Sequence, residues 1–177
     1  WSPDGKRIAY AAKVVDETWF PKTMNADGSN AEILEGALGA WRSEWSRDGR
    51  KIAFLGNDAV YLFDLQSKEN TRIPVVNYNP FIVSNLAWGE NDEFLFISYQ
   101  RGIDKVNLKN IQSELLYRSC DRRRTYREIA TIPNQPQLLA SRLDQRRVNN
   151  TTLEVALQFW LMHTDGSHEE LIELTEE

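Results

Sequence analysis

The sequence predicts an all-β fold in which a unit of four short antiparallel strands is repeated about four times. Three observations lead to this prediction. A ten-residue motif recurs every 43 or 44 residues, Asp-Gly turn signals recur in phase with it, and short alternating apolar segments follow the turns. Helical periodicity is weak throughout. A period in the low forties with four strands per unit is typical of the blades of a β-propeller.

The repeat is clearest in its first two copies. Trp1-Ser-Pro-Asp-Gly-Lys-Arg-Ile-Ala-Tyr10 recurs as Trp45-Ser-Arg-Asp-Gly-Arg-Lys-Ile-Ala-Phe54. A weaker copy starts at Trp88 and a degenerate one at Ile132, so consecutive starts are 44, 43 and 44 residues apart. This regular spacing identifies the fourth copy, which its own residues would not reveal.

Four Asp-Gly pairs mark tight turns, because Gly accepts a positive φ and the Asp side chain caps the turn backbone. The pairs occupy equivalent places in the repeat, which favours a structural role over a catalytic one. A calcium loop would need several oxygen ligands at alternating positions, and these turns offer too few. The structural turn residues are Asp4 and Gly5, Asp27 and Gly28, Asp48 and Gly49, and Asp165 and Gly166.

Strands are predicted after the turns, where Ile8 and Tyr10, and Ile52 and Phe54, alternate with small residues. Residues 60–65 and 94–97 are apolar on both sides, so we expect neighbouring sheets to cover both faces. The innermost strand of the first blade is expected to lie mostly on the amino side of Trp1. Residues 1–177 then form a single propeller domain or propeller segment, with approximate blades at residues 1–40, 41–83, 84–126 and 127–177.

The motif at residues 1–10, followed by Met-Asn-Ala-Asp-Gly-Ser-Asn at residues 24–30, resembles the WD-like repeat of the TolB family. Similar repeats occur in the non-catalytic propellers of prolyl oligopeptidase-like peptidases. The resemblance implies a binding scaffold and, if function follows fold, a periplasmic or cell-envelope location. TolB resembles a six-bladed ring, whereas this chain holds about four periods. We therefore expect a segment of a larger ring, with a closed four-bladed ring as the alternative.

Composition excludes several classes of protein. With 41% hydrophobic, 11% aromatic and 27% charged residues, the chain has the make-up of a globular domain with a sizeable core. Its apolar runs are too short to cross a bilayer, so no membrane insertion is expected. One cysteine and two histidines, His163 and His168, are too few for a zinc site, and we predict no metal and no cofactor. No nucleophile elbow, phosphate-binding loop or metalloprotease motif occurs, so the chain is predicted not to be an enzyme.

Positive charge is concentrated in residues 118–147, which contain eight arginines and only three acidic residues. This segment carries +5 and the rest of the chain −10. In a four-stranded meander, the link between blades and the turn between the second and third strands emerge at the same end. Two groups of arginines, within Arg118–Arg127 and Arg142–Arg147, are therefore expected on one face, as a candidate site for an acidic protein partner or a phosphate. The candidate residues are Arg122, Arg123, Arg124, Arg127, Arg146 and Arg147.

Three functions remain open. The leading one is a non-enzymatic propeller scaffold for protein–protein interaction. The alternatives are the non-catalytic propeller domain of a prolyl oligopeptidase-like hydrolase and a propeller that binds a sugar or metabolite. Nucleic acid is disfavoured as a partner by the net charge of −5. An open arc would leave blade faces uncovered, so a homodimer that completes the propeller is a further expectation.

Overall fold

Antiparallel strands make up nearly all the regular structure of the chain. The computed structural model describes residues 1–13, 18–36, 39–75, 83–119, 124–148 and 153–172, with only the backbone described for Arg124, Arg146, Arg147 and Leu153. Apart from a 3-10 turn at Glu90–Asp92, every regular element in these ranges is a strand. The predicted all-β class is confirmed. No helix within these ranges is long and apolar enough to cross a membrane.

The strands form four antiparallel sheets, in each of which neighbours in sequence are neighbours in space. Blade 1 contains β1 (Arg7–Lys13), β2 (Trp19–Asn25) and β3 (Glu32–Ile33). Blade 2 contains β4 (Arg42–Trp45), β5 (Lys51–Leu55), β6 (Val60–Asp64) and β7 (Asn70–Ile73). Blade 3 contains β8 (Val83–Trp88), β9 (Phe94–Tyr99), β10 (Gly102–Asn107) and β11 (Gln112–Arg118). Blade 4 contains β12 (Arg124–Thr131), β13 (Gln137–Arg147), β14 (Leu153–His163) and β15 (Glu169–Ile172).

The two clearest copies of the repeat build the same turn. Asp4 Oδ1 accepts hydrogen bonds from the hydroxyl two residues earlier, at 2.7 Å, and from the amide two residues later, at 3.1 Å. Asp48 Oδ1 accepts the equivalent bonds at 2.7 and 2.9 Å. Gly5 and Gly49 adopt φ values of 69° and 70°, a conformation that a side chain would strain. One stretch of sequence therefore produces one turn geometry, used twice.

The other two Asp-Gly pairs form a second type of turn, between the later strands of blades 1 and 4. Asp27 and Asp165 each accept a hydrogen bond from the amide two residues later, both at 2.9 Å. Gly28 and Gly166 have φ values of 86° and 77°. Hydrogen bonds from the hydroxyls of Ser29 and Ser167, together with these amide bonds, lower the pKa of both exposed carboxyl groups below their usual value.

Apolar side chains fill the space between consecutive blades. The core between blades 2 and 3 joins Leu55 and Val60 to Trp88 and Ile97, and the core between blades 3 and 4 joins Phe96 to Leu138. The core between blades 1 and 2 includes Trp45, Ile52, Phe54 and Phe63. Burial of such side chains is the main source of stability, at about 1.5–3 kcal/mol each.

The blades follow one another as an arc. β1 packs against β4, β4 against β8, and β8 against β12. Blade 4 uses alternate residues such as Leu138 to pack on blade 3. On its opposite face Leu139, Val155 and Leu157 are exposed to solvent. That apolar face has no blade packed on it within the described ranges.

Candidate binding site at the mouth of the arc

A cavity of about 420 Å³ opens at the amino-terminal ends of β4, β8 and β12, the innermost strands of blades 2 to 4. The turn between β9 and β10, with Gln100, and the carboxyl end of β13, with Gln145, lie at this same end of the sheets. Side chains from both kinds of segment therefore meet here. We call this space the mouth cavity, and it is lined by Trp41, Arg42, Val83, Ser84, Gln100, Thr125, Arg127, Glu128 and Gln145.

A small polar network ties three blades together at the cavity wall. Glu128 Oε2 accepts a hydrogen bond from Arg42 Nη2 at 2.5 Å and another from the Asn85 side-chain amide. The three residues come from β12, β4 and β8. Because Glu128 forms an ion pair with Arg42, the guanidinium charge of Arg42 is balanced within the wall.

Arg127 differs from Arg42, because its side chain has no hydrogen-bond or ion-pair partner in the described part of the chain. It is exposed and lines the cavity. The register of β12 on β13 shifts between Tyr126 and Ile129. Such a bulge turns adjacent side chains toward the same side of a strand, which explains how Arg127 and Glu128 both reach the cavity. The backbone is held in place there, because the Arg127 carbonyl accepts a bond from the Ser98 hydroxyl at 3.1 Å.

The remaining cavity residues include an aromatic ring and two side-chain amides. Trp41 is 39% exposed, and Gln100 and Gln145 supply both donors and acceptors. An exposed indole beside a guanidinium and two amides suits an extended polar ligand, which can stack on the ring and hydrogen-bond along its length.

The predicted arginines have different places relative to this cavity. Arg122 and Arg123 lie outside the described residues. Arg124 starts β12 and pairs in register with Asp144 near the end of β13, so the backbones of the two arginine-bearing segments are adjacent. Arg146 and Arg147 are the last residues of β13. Only for Arg127 does the structure describe the side chain, and it lines the mouth cavity.

Arg142, which the charge pattern placed with the positive face, is buried instead. It is 2% exposed, and its guanidinium carbon lies 3.8 Å from the centroid of the Trp160 ring. Arg142 Nε also lies 3.4 Å from Asp144 Oδ1. The expectation for this arginine was wrong, because Arg142 lies on the same face of β13 as Leu138 and Ala140, which belong to the core between blades 3 and 4.

The two histidines close a turn. The rings of His163 and His168 meet edge to face, with centroids 5.9 Å apart. The hydroxyl of Tyr117 lies 2.9 Å from the His163 carbonyl oxygen and 2.6 Å from that of His168. Burial raises the pKa of this tyrosine to about 12. No cluster of three or more His, Cys, Asp and Glu that could hold a metal exists among the residues the structure describes.

Neither protein-family models nor curated proteins match this sequence. Solved structures do share its fold. A putative TolB from Agrobacterium tumefaciens is similar with a TM-score of 0.76 and 17% identity, over 96% of this chain and 62% of that one. The oligogalacturonate lyase of Vibrio parahaemolyticus has a TM-score of 0.69 and 14% identity, over 96% and 50%. The β-propeller domain of the Trilobed protease from Pyrococcus furiosus has a TM-score of 0.65 and 16% identity, over 96% and 54%.

This chain has a TolB-like β-propeller fold. At these identities the likeness shows the fold alone, and the chain spans between one half and two thirds of the length of the three structures. In this TolB-like propeller, Trp41, Arg42, Asn85 and Gln100 were not predicted as site residues. They stand outside the repeat motif, at the starts of innermost strands or in turns, where one sequence carries no periodic signal.

Proposed function

We propose that this TolB-like propeller is a non-enzymatic module that binds an acidic segment of a protein partner at the mouth cavity. The observation that carries the proposal is the exposed guanidinium of Arg127, which has no side-chain partner in the described ranges. A guanidinium can donate two parallel hydrogen bonds to one carboxylate. Since Glu128 already pairs with Arg42, the charge of Arg127 stays available to a ligand.

Two further features support an acidic peptide as the ligand. Arg124, Arg146 and Arg147 belong to the strand ends adjacent to the cavity, which raises the positive charge of this end of blade 4. The exposed ring of Trp41 provides the aromatic surface that protein-binding sites favour. Because the repeat resembles that of the TolB family, we further propose that the partner is a component of the cell envelope.

The proposal is tested with a fluorescein-labelled peptide of eight glutamates, titrated with the protein at low and at moderate NaCl concentration. We expect saturable binding that weakens with salt, because exposed charges are screened. Arg127→Ser should weaken binding by roughly 5- to 10-fold, about 1–1.4 kcal/mol. Arg50→Ser is the matched control. It removes the same charge from an exposed turn at the opposite end of blade 2 and should leave the affinity unchanged.

Two results would contradict the proposal. Equal weakening by Arg127→Ser and Arg50→Ser would mean that the peptide responds to overall charge and not to the cavity. An absence of binding at low salt would remove the acidic peptide as a ligand class.

A second candidate function is that of a propeller domain within a larger hydrolase. The likeness to the β-propeller domain of the Trilobed protease favours it. A domain of that kind would admit peptides irrespective of charge. A labelled Gly-Ser peptide of eight residues would then bind as well as octaglutamate, and Arg127→Ser would change neither affinity.

A further inference from the structure

A second polar cavity lies between blades 3 and 4, at the opposite end of the sheets from the mouth cavity. It has a volume of about 150 Å³ and lies beside the turns that join β8 to β9 and β12 to β13. An adjoining cavity of about 280 Å³ continues it along the outer strands of blade 3, and Phe94 and Lys105 line both. We call them the inner and the outer cavity of the turn-side groove. Both blades have all four strands, and the combined size lies in the range of roughly 300–1,000 Å³ found for small-molecule sites.

Two cationic side chains, Arg47 and Lys105, line the inner cavity. Neither forms an ion pair with a residue that the structure describes. Lys105 Nζ donates to the Thr164 carbonyl at 2.9 Å and lies 4.4 Å from the centroid of the Phe94 ring. Arg47 Nη2 donates to the Thr131 hydroxyl at 2.7 Å. Each cation therefore keeps N–H groups that have no acceptor within the described ranges.

Contacts between three blades fix the position of the arginine. The Thr131 hydroxyl, which accepts from Arg47, donates in turn to the Trp88 carbonyl at 2.8 Å. The Arg47 backbone amide donates to Asp92 Oδ1 at 2.8 Å, and the amide of Asp48 donates to Asp92 Oδ2 at 2.9 Å. A cation that is held in place before a ligand arrives loses little side-chain entropy on binding.

The groove also contains carboxylates, and they differ in how they are paired. Glu93 forms an ion pair with Lys109 at 2.5 Å. Glu90 in the inner cavity and Glu114 in the outer cavity are exposed, and neither forms an ion pair in the described part of the chain. The inner cavity therefore has two unpaired cations and one unpaired carboxylate, which leaves one positive charge in excess. We expect the anionic group of a ligand at this inner end.

The outer cavity is lined by three side-chain amides whose oxygen atoms are already engaged. Asn107 Oδ1 accepts from the Lys109 amide at 2.9 Å, and Asn110 Oδ1 accepts from the Gln112 amide at 3.2 Å. Gln112 Oε1 accepts from Asn110 Nδ2 at 3.2 Å. The side-chain N–H groups of Asn107 and Gln112 have no acceptor among the residues described. Because these free groups are donors, they favour a ligand rich in oxygen atoms over one that carries an ammonium group.

We propose that the turn-side groove binds a small polyhydroxylated carboxylate, such as a sugar acid, at a site separate from the mouth cavity. The carboxylate accepts hydrogen bonds from Arg47 and Lys105, and the hydroxyl groups extend into the outer cavity. There they accept from the amides of Asn107 and Gln112 and donate to Glu114, since a hydroxyl does both. An alkyl carboxylate would cover these polar groups without pairing them, and a neutral polyol would do the same to the cations.

The test titrates D-gluconate into the full chain and measures binding by isothermal titration calorimetry. We expect saturable binding at a single site. Sorbitol lacks the charge and hexanoate lacks the hydroxyl groups, so each should bind with an affinity roughly tenfold lower. The proposal is overturned if gluconate shows no saturable binding, or if either sorbitol or hexanoate binds as tightly as gluconate.

Two pairs of variants test whether the ligand lies in this groove. Arg47→Gln should weaken gluconate binding roughly tenfold. Its control, Arg50→Gln, removes the same charge from the same turn at a residue outside the groove, and should leave the affinity unchanged. Gln135→Glu adds a carboxylate at an exposed position of the inner cavity and should weaken binding by a similar factor through repulsion. Its control, Gln66→Glu, makes the same change in an exposed turn of blade 2 and should have no effect.

Far-UV circular dichroism checks that all four variants fold. If Arg47→Gln does not fold, the two glutamine variants decide the question by themselves. Equal losses of gluconate affinity in a variant and its control would mean that the ligand responds to overall charge, and would overturn the proposal. Unchanged affinity in Gln135→Glu would overturn it as well.

Discussion

Ile52→Ala and Ile8→Ala are the same chemical change at equivalent positions of the repeat, in different surroundings. Ile52 is fully buried in the core between blades 1 and 2, and Ile8 is half-buried. Removing three carbons loses roughly 2.4 kcal/mol of transfer free energy, at about 0.8 kcal/mol per carbon. The cavity left in a packed core adds roughly 1 kcal/mol. We expect the free energy of unfolding to fall by about 3–4 kcal/mol for Ile52→Ala and by about 1–1.5 kcal/mol for Ile8→Ala.

Urea unfolding followed by tryptophan fluorescence measures both losses, since the chain contains six tryptophans. At a common m-value, the shift in midpoint gives the difference in free energy. Equal losses for the two variants would refute the reasoning. They would mean that the face of β1 bearing Ile8 is covered as completely as the face of β5 bearing Ile52.

Three further predictions concern pH and association. The ammonium of Lys51 and two backbone amides lower the pKa of Asp64 to about 2. Its stabilising effect is therefore complete above about pH 4 and is lost as the pH falls toward 2. Lys51→Met should flatten that part of a plot of unfolding midpoint against pH, and an unchanged slope would contradict the prediction. Burial raises the pKa of Asp104, so its ionisation opposes folding as the pH rises above the ordinary value of 3.8. Asp104→Asn should increase thermal stability more at pH 7 than at pH 3, and an equal change at both would count against this. Leu157 is 55% exposed on the open face of blade 4, where we propose that a second copy of the chain docks. Leu157→Asp should reduce self-association in sedimentation experiments. The control Leu115→Asp changes a leucine of β11 that is 50% exposed, and it should leave self-association unchanged. An unmodified chain that stays monomeric at every concentration would refute the docking.

The elements of the fold were predictable because their signals are local. An Asp-Gly turn is decided within about five residues, by the φ preference of glycine and the hydrogen bonds of one carboxylate. The alternation at Ile52 and Phe54 indicates a strand by itself. Even the fourth blade was found, because a constant period locates Ile132 where its own residues are uninformative.

The candidate site was only partly predictable. The charge pattern predicted a positive end of blade 4, which stays a prediction, and Arg127 lines a cavity at that end. The same pattern included Arg142, which is buried under Trp160. Net charge says nothing about the direction of a side chain, and the bulge in β12 that directs Arg127 and Glu128 has no sequence signal in a single chain.

By itself, the sequence determined the strand–turn unit, its number of copies and the architecture that follows from them. These depend on short-range preferences repeated at a constant interval. The tertiary structure alone decided which copies are covered and which charges are balanced. Ile8 and Ile52 stand in the same motif, yet only Ile52 is enclosed, and Arg42 is balanced by Glu128, a residue 86 positions away. Burial and ion pairing depend on groups that the fold brings together from distant parts of the chain, so no local pattern records them.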